Sequence, residues 1–313
     1  MKKSLIILSA LIISLSVRAQ ETYLYAQKDT CSLYMDIYRP APGAPVEFRG
    51  VSKPTVLFLF GGGFVSGARN DAYLLPWYKV LTDNGYSVVA IDYRLGMKGY
   101  KMGKGLSGLA KSVEYFLASQ QMGVEDVFSA VSYLAAHPEL GIDANNIVAS
   151  GNSAGAIISL ACAHAIANGK AEGVPEGFRF RVVISFAGGI ISMKGAPKFA
   201  KAPCPILFFH GEKDNAVAYK HVGAFGKGIW GSSFLAAKLK KSGASYCIYR
   251  FKNRAHDVST YMRLLWPESQ AFLETNVMLG QPCIVDATVE NDSLPVWPAW
   301  GSMTPQQMYN GGL

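Results

Sequence analysis

The chain predicts an α/β fold: a doubly wound, mostly parallel sheet with helices on both faces. Three observations carry this. Apolar runs of strand length recur from Val56–Phe60 to Tyr246–Phe251 without strict polar alternation, as in strands covered on both faces. Segments of helical period stand between them, so strand and helix alternate. Each motif with chemical content directly follows an apolar run, and parallel sheets place their functional loops at the carboxyl ends of their strands.

Taken in order, residues 32–38 alternate as an early strand and stop at Arg39-Pro40-Ala41-Pro42. Further strands are expected at 54–60, 86–91, 146–150, 181–186, 205–209 and 246–251. Val124, Val127, Phe128, Val131, Leu134 and Ala135 follow the i, i+3, i+4, i+7 rule of a half-buried helix. Residues 154–167 are nearly all small or apolar and predict a buried helix. Residues 232–241 and 259–273 are further helical candidates. There is no internal repeat and no low-complexity tract.

Composition narrows the class. Half of the 313 residues are hydrophobic and 17% are charged, which excludes a disordered chain. The length suits a single large core that needs neither disulfides nor a metal to fold. The first residues read as a secretory signal peptide, 1–19: Lys2 and Lys3, an apolar centre, then Val17-Arg18-Ala19 before the expected cut. The apolar run is shorter than the roughly 18–20 residues that span a bilayer; a retained anchor is the rival. The expected organisation is a signal peptide at 1–19, one domain at 20–275 and a C-terminal extension at 276–313 packing on or following it. Export to the periplasm or outside the cell follows, with no stable membrane insertion after cleavage. Cleavage leaves a net charge of about +5. No dense basic stripe accompanies it, so no nucleic-acid partner is expected. Lys98, Lys101, Lys104 and Lys111 read as a solvated loop. The five cysteines, 31, 162, 204, 247 and 283, have no metal-ligand spacing and allow at most two bridges. No metal site is expected.

Four motifs carry chemistry. Gly151-Asn152-Ser153-Ala154-Gly155 follows one strand and opens a helix. A nucleophilic serine on such a turn needs small neighbours, because strand and helix backbones close on each other. Gly61-Gly62-Gly63-Phe64 follows another strand. Its glycines let backbone N–H groups approach a ligand. With Ala154, the N–H groups of Gly62 and Gly63 are the candidate oxyanion donors. The rivals are a plain glycine turn and a dinucleotide loop at Gly61, Gly63 and Gly67 with Asp92 ending the next strand, but the glycine spacing misses G-x-G-x-x-G by one residue.

His210-Gly211-Glu212-Lys213-Asp214 follows a late strand. Asp214 is the candidate carboxylate to orient an imidazole, Glu212 its local rival, and His210 a residue that fixes the loop. Of the five histidines, only His256 follows the last expected strand, downstream of Ser153 and Asp214. Asp257 is too close in sequence to bond its Nδ1. The order Ser153, Asp214, His256 is that of a nucleophile–acid–base set on a wound α/β sheet.

These motifs, with Asp92-Tyr93-Arg94 and the run from Asp143 to Gly155, give the chain a resemblance to α/β-hydrolases of the esterase/lipase type. It is similar to the hormone-sensitive-lipase-like and feruloyl-esterase-like carboxylesterases over residues 32–273. The resemblance implies an α/β-hydrolase fold, a serine nucleophile, ester substrates and no cofactor. The chain departs from the family where Phe60 stands in place of a histidine before the glycines. It departs again where Gly96-Met97-Lys98-Gly99 follows Leu95 in place of Ala-Pro-Glu. No separate N-terminal cap domain is expected.

The expected function is a carboxylesterase working through an acyl-enzyme. A catalytically silent binder on the same fold and a serine peptidase with the same triad are the alternatives. The expected partner is a small-molecule or carbohydrate-linked ester, and export fits acylated plant polysaccharides by analogy. Phe64, Tyr73, Trp77, Tyr78, Phe225 and Trp230 are candidate pocket aromatics, and residues 219–233 a candidate mobile wall. The Trp297-Pro298-Ala299-Trp300 stretch marks the extension.

Overall fold

A computed structural model of the chain describes residues 20–28, 31–103 and 105–296. The expected signal peptide and the Trp297–Trp300 stretch lie outside the described residues.

The strands are β1 (Glu21–Lys28), β2 (Cys31–Tyr38), β3 (Glu47–Phe48), β4 (Val51–Ser52), β5 (Thr55–Leu59), β6 (Val88–Ile91), β7 (Ile147–Asn152), β8 (Val183–Phe186), β9 (Gly189–Ser192), β10 (Ile206–Gly211), β11 (His221–Ala224), β12 (Lys227–Gly231), β13 (Tyr246–Phe251) and β14 (Ile284–Val289). The α-helices are α1 (Leu75–Asp83), α2 (Gly105–Ala136), α3 (Ala154–Ala167), α4 (Ser232–Ser242) and α5 (Trp266–Leu273).

Nine strands form the main sheet in the order β1-β2-β6-β5-β7-β8-β10-β13-β14. β1 and β2 pair antiparallel, as do β2 and β6, and every other pairing in this sheet is parallel. All residues of β5, β6, β7, β8 and β10 are buried, which accounts for their unbroken apolar runs. Helix α2 packs on α3, and α3 on β7 and β8. Trp77 of α1 meets Trp266 of α5 edge-on at 5.9 Å.

The winding places the site. From β5 the chain steps one way to β6, then crosses to β7 on the other side of β5. Strand order therefore reverses between β5 and β7, and a crevice opens at their carboxyl ends. There Leu59 pairs with Gly151, so the glycine loop and Ser153 emerge side by side.

Several expectations need correction. β1 adds an edge strand that the alternation at 32–38 did not announce. The expected loop around Lys111 is helical, because α2 starts at Gly105. Val113, Phe116, Leu117, Gln120 and Val124 supply the inward stripe that the surrounding Gly103, Gly105 and Gly108 obscure. Lys98 and Lys111 are exposed, as expected. The helix expected over 259–273 is split: a 3₁₀ turn spans His256–Thr260, and α5 starts only at Trp266, with proline in its first turn. A proline lacks the N–H that a helix interior needs and favours such a start. Residues 221–231 form the β11–β12 hairpin, paired through β12 to β9. The sheet also continues past 275: a π-helical turn covers Glu274–Met278, and β14 then joins the edge of the sheet in parallel to β13.

Candidate active site

Ser153 sits between β7 and α3 at φ 52° and ψ −118°, a backbone conformation that non-glycine residues rarely adopt. The turn survives because its flanks are glycines. A Cβ on Gly155 would lie 2.0 Å from the Leu59 carbonyl oxygen, and one on Gly151 2.5 Å from the Gly155 backbone. The Ser153 N–H donates to the Phe186 carbonyl at 2.9 Å, tying the turn to β8. The Ser153 side chain thereby stands at the amino end of α3, where the helix favours negative charge.

His256 and Asp214 reach Ser153 from β13 and β10. His256 Nε2 lies 2.8 Å from Ser153 Oγ, and His256 Nδ1 lies 2.7 Å from Asp214 Oδ2. The second oxygen of Asp214 accepts the N–H groups of Ala216 and Val217, both at 2.9 Å. Burial alone would raise the Asp214 carboxyl; the His256 imidazole and hydrogen bonds from His210 and His256 outweigh it and hold the group well below the usual carboxylate range. Glu212, the rival acid, points to solvent. Asp257 instead accepts the Ala255 N–H and the Tyr261 hydroxyl.

His210 fixes the loop, as the sequence suggested, and also reaches the Asp214 carboxylate. It is fully buried, and its Nε2 lies 3.0 Å from the Val217 carbonyl and 3.2 Å from Asp214 Oδ2. Its Nδ1 faces Ser232 Oγ at 2.8 Å. It therefore braces the loop that presents Asp214. The other histidines lie elsewhere: His137 faces the Tyr133 carbonyl, His164 the Lys198 carbonyl, and His221 stacks on Trp230.

The glycine loop folds back on itself, with Val65 and Ser66 N–H groups bonded to the Gly62 carbonyl. Gly62 adopts φ 120°, and a Cβ there would lie 2.1 Å from the Ser66 carbonyl oxygen. Gly63 and Phe64 follow at φ 62° and 63°. Phe60, which departs from the resembled family, stacks on Tyr93 at 4.4 Å, and the Tyr93 hydroxyl donates to the Phe60 carbonyl at 2.7 Å. An aromatic stack thus supports the loop. Asp92, the acid of the rival dinucleotide reading, is engaged by Arg69 at 2.6 Å. Arg94 is bound by Asp126 and Glu125 of α2.

Ser153 and Gly62 open into a cavity of about 630 Å³. Of the six aromatics singled out in the sequence, Tyr73 and Trp77 line it; Phe64, Tyr78, Phe225 and Trp230 do not. Phe225 stands fully exposed at the tip of the β11–β12 hairpin, and no residue of that hairpin lines the cavity. The far wall is instead Ser259 to Leu264 with Pro295. Sequence reasoning missed this wall, because residues 259–264 read as helix and nothing in the tail announced Pro295.

Fold and site together define an α/β-hydrolase. The model of the BD-FAE family matches residues 35–194, just over half of the chain. The chain belongs to this family of α/β-hydrolase-type esterases. Among solved structures it is similar to a thermophilic esterase, Est2, of the planctomycete Thermogutta terrifontis, bound to propionate. That likeness has a TM-score of 0.56 and 23% identity, and covers 82% of this chain and 94% of that one. The butyrate-bound form of Est2 gives a TM-score of 0.56 at 22% identity over the same shares. A chlorogenic acid esterase of Aspergillus niger is 30% identical over 125 residues, 40% of this chain and 22% of that protein. A non-reducing polyketide synthase, ausA, of Penicillium brasilianum is 27% identical over 145 residues, 46% of this chain and only 5% of the synthase.

Proposed function

We propose that the protein is an exported serine carboxylesterase that cleaves carboxylic esters through Ser153, His256 and Asp214. The observation that carries this reading is the unbroken hydrogen-bonded chain from Ser153 through His256 to Asp214. It ends in the cavity, and its nucleophile sits on a turn that only the flanking glycines permit.

His256 Nε2 takes the Ser153 proton as Oγ attacks the ester carbonyl. The N–H groups of Gly62, Gly63 and Ala154 take the charge that develops on the carbonyl oxygen. Asp214 holds the imidazole through Nδ1 and stabilises its charged form. His256 then returns the proton to the departing alcohol, leaving an acyl-Ser153. Water, deprotonated by His256, attacks that ester and releases the acid, and the proton returns to Ser153.

The substrate proposed is an ester of a carbohydrate or its fragment. Tyr73, Trp77, Tyr261, Met262 and Leu264 give the cavity a mostly apolar wall suited to an acyl group. The chlorogenic acid esterase and the propionate- and butyrate-bound esterase support esters as the substrate class.

Hydrolysis of p-nitrophenyl esters of rising chain length, wild type beside Ser153→Ala, tests the proposal. Turnover that disappears in the variant is expected, with a chain-length optimum that sizes the cavity. Near-normal turnover by Ser153→Ala would overturn it.

A further inference from the structure

We propose that Cys247 and Cys283 form a disulfide that fastens the ninth strand of the sheet and, through it, one wall of the cavity. β13 and β14 pair in parallel with Cys247 opposite Val285. Cys283, Val285, Ala287 and Val289 are the half-buried residues of this segment, and the residues between them are exposed. Cys283 therefore shares the face of Cys247, one side-chain step before its direct partner. The two sulfur atoms lie 3.5 Å apart, with nothing between them. A disulfide needs about 2.05 Å, so roughly 1.5 Å of approach closes the bond. Cys283 can supply that movement, because it precedes the first residue of β14.

The approach is prepared from both sides. Ser245 Oγ donates to the Cys283 carbonyl at 2.8 Å, and Asn276 contacts both the Cys283 N–H and its sulfur at 3.4 Å. The other three cysteines have no such partner among the described residues. Cys162 and Cys204 are fully enclosed, and Cys31 lies on β2, toward the opposite edge of the sheet.

The bond joins structure to site. Residues 247–283 become a covalent ring that contains His256. Beyond β14 the chain turns back toward the cavity. Arg254 holds the Asn291 carbonyl at 2.8 Å, the Tyr261 hydroxyl bonds the Pro295 carbonyl, and Pro295 lines the cavity with Ser153. Outside its ladder, β14 is held by Val285 and Val289 packed on the core, by Asp286 with Arg250 and the Tyr246 hydroxyl, and just beyond its end by the ion pair of Glu290 with Lys252. Exposed ion pairs of this kind contribute little, so a covalent anchor at the start of the strand adds a strong restraint.

The oxidant is an external disulfide, either a small one such as oxidised glutathione or that of a thiol oxidoreductase. Cys283, the more accessible sulfur, attacks it as the thiolate, releases one thiol and carries a mixed disulfide. Cys247 loses its proton and attacks Cys283 Sγ, releasing the second thiol. Two protein thiols are oxidised and one external disulfide is reduced to two thiols. Burial and the neighbouring Cys283 push the Cys247 thiol up to about 12, so the first attack falls to Cys283, and Cys247 reacts through its small thiolate fraction once the mixed disulfide is held beside it.

The test treats the folded full-length protein with oxidised glutathione, denatures it, alkylates free thiols and measures intact mass. Three alkylations and a peptide linking 247 to 283 are expected, against five for the reduced protein. The oxidised form should melt roughly 5–10 °C above the reduced form. In Cys283→Ser, and separately in Cys247→Ser, the link and its Tm gain should both disappear. Cys283 is half-buried and its replacement leaves the core intact, so one variant folds even if the other does not. Five alkylations after oxidation, or a glutathione adduct that stays on Cys283, would overturn the bond. A bond that forms without raising Tm would overturn its anchoring role. Neither readout depends on ester turnover.

Discussion

His256 Nε2 stands 2.8 Å from Ser153 Oγ across 103 residues of chain, with Asp214 bonded to the far side of the same imidazole. The three side chains leave the carboxyl ends of β7, β10 and β13, so the sheet itself sets their spacing. On the proposed mechanism they act as one unit, so their losses should not add. Ser153→Ala and His256→Ala should each lower kcat on the order of 10⁴–10⁶-fold, and the double variant little further. Steady-state kinetics on one ester would check this; additive losses would mean the residues act separately.

Asp214→Asn should keep the fold and lower kcat on the order of 10⁴-fold, because the amide favours the wrong imidazole tautomer. The pH dependence of stability follows from the same carboxyl. The folded Asp214 carboxyl is held well below its unfolded value, mainly by His256 and His210 against the pull of burial. Its contribution to stability is therefore present above about pH 4 and is lost only as pH falls further. Between neutrality and pH 5 the Asp214 carboxyl binds almost no proton in either the folded or the unfolded state, so Tm should hold over that window. A Tm that fell over it would contradict this.

Gly62→Ala and Gly155→Ala should fail differently. At Gly62 the new Cβ meets Ser66 in the glycine loop; at Gly155 it meets the Leu59 strand backbone. The first should lower kcat about 10²–10³-fold by displacing oxyanion donors. The second drives α3 off β5 and should chiefly lower Tm and soluble yield. Thermal melts beside kinetics would separate them, and a Gly62→Ala enzyme with wild-type kcat would remove the loop from the mechanism.

Asp126 is fully buried on α2 and accepts the Arg94 backbone N–H at 2.7 Å and its side chain at 2.9 Å. Asp126→Ala removes the acceptor of the Arg94 backbone N–H and Nε, while Glu125 and the Met122 carbonyl still hold the far end of the guanidinium, and should cost about 1–3 kcal/mol of stability. The folded fraction should keep kcat within a few-fold, because neither Arg94 nor Asp126 lines the cavity. Denaturant titration and kinetics at low temperature would check both halves.

Much of this arrangement was legible in the sequence. Buried parallel strands must be apolar on both faces, so residues 246–251 read at their true limits and 54–60 nearly so. Tight backbone approaches must be glycine, so the turns around Ser153 and Gly62 were visible as motifs. What stayed hidden obeys no short-range rule. β1 and β14 are edge strands, and their half-exposed patterns look like any polar segment. The first turns of α2 are glycine-rich, and their periodicity is carried by a few packed side chains. The contact of His210 with Asp214 and the use of Pro295 as a cavity wall depend on loop closure between distant elements, which no local spacing encodes.

The most direct test of the central claim is covalent labelling of the folded protein with a fluorophosphonate, followed by peptide mass spectrometry. The account predicts a single adduct on Ser153, formed quickly in the wild type, slowly in His256→Ala and not at all in Ser153→Ala. An adduct on another residue, or ester turnover by a protein that resists labelling at Ser153, would contradict it.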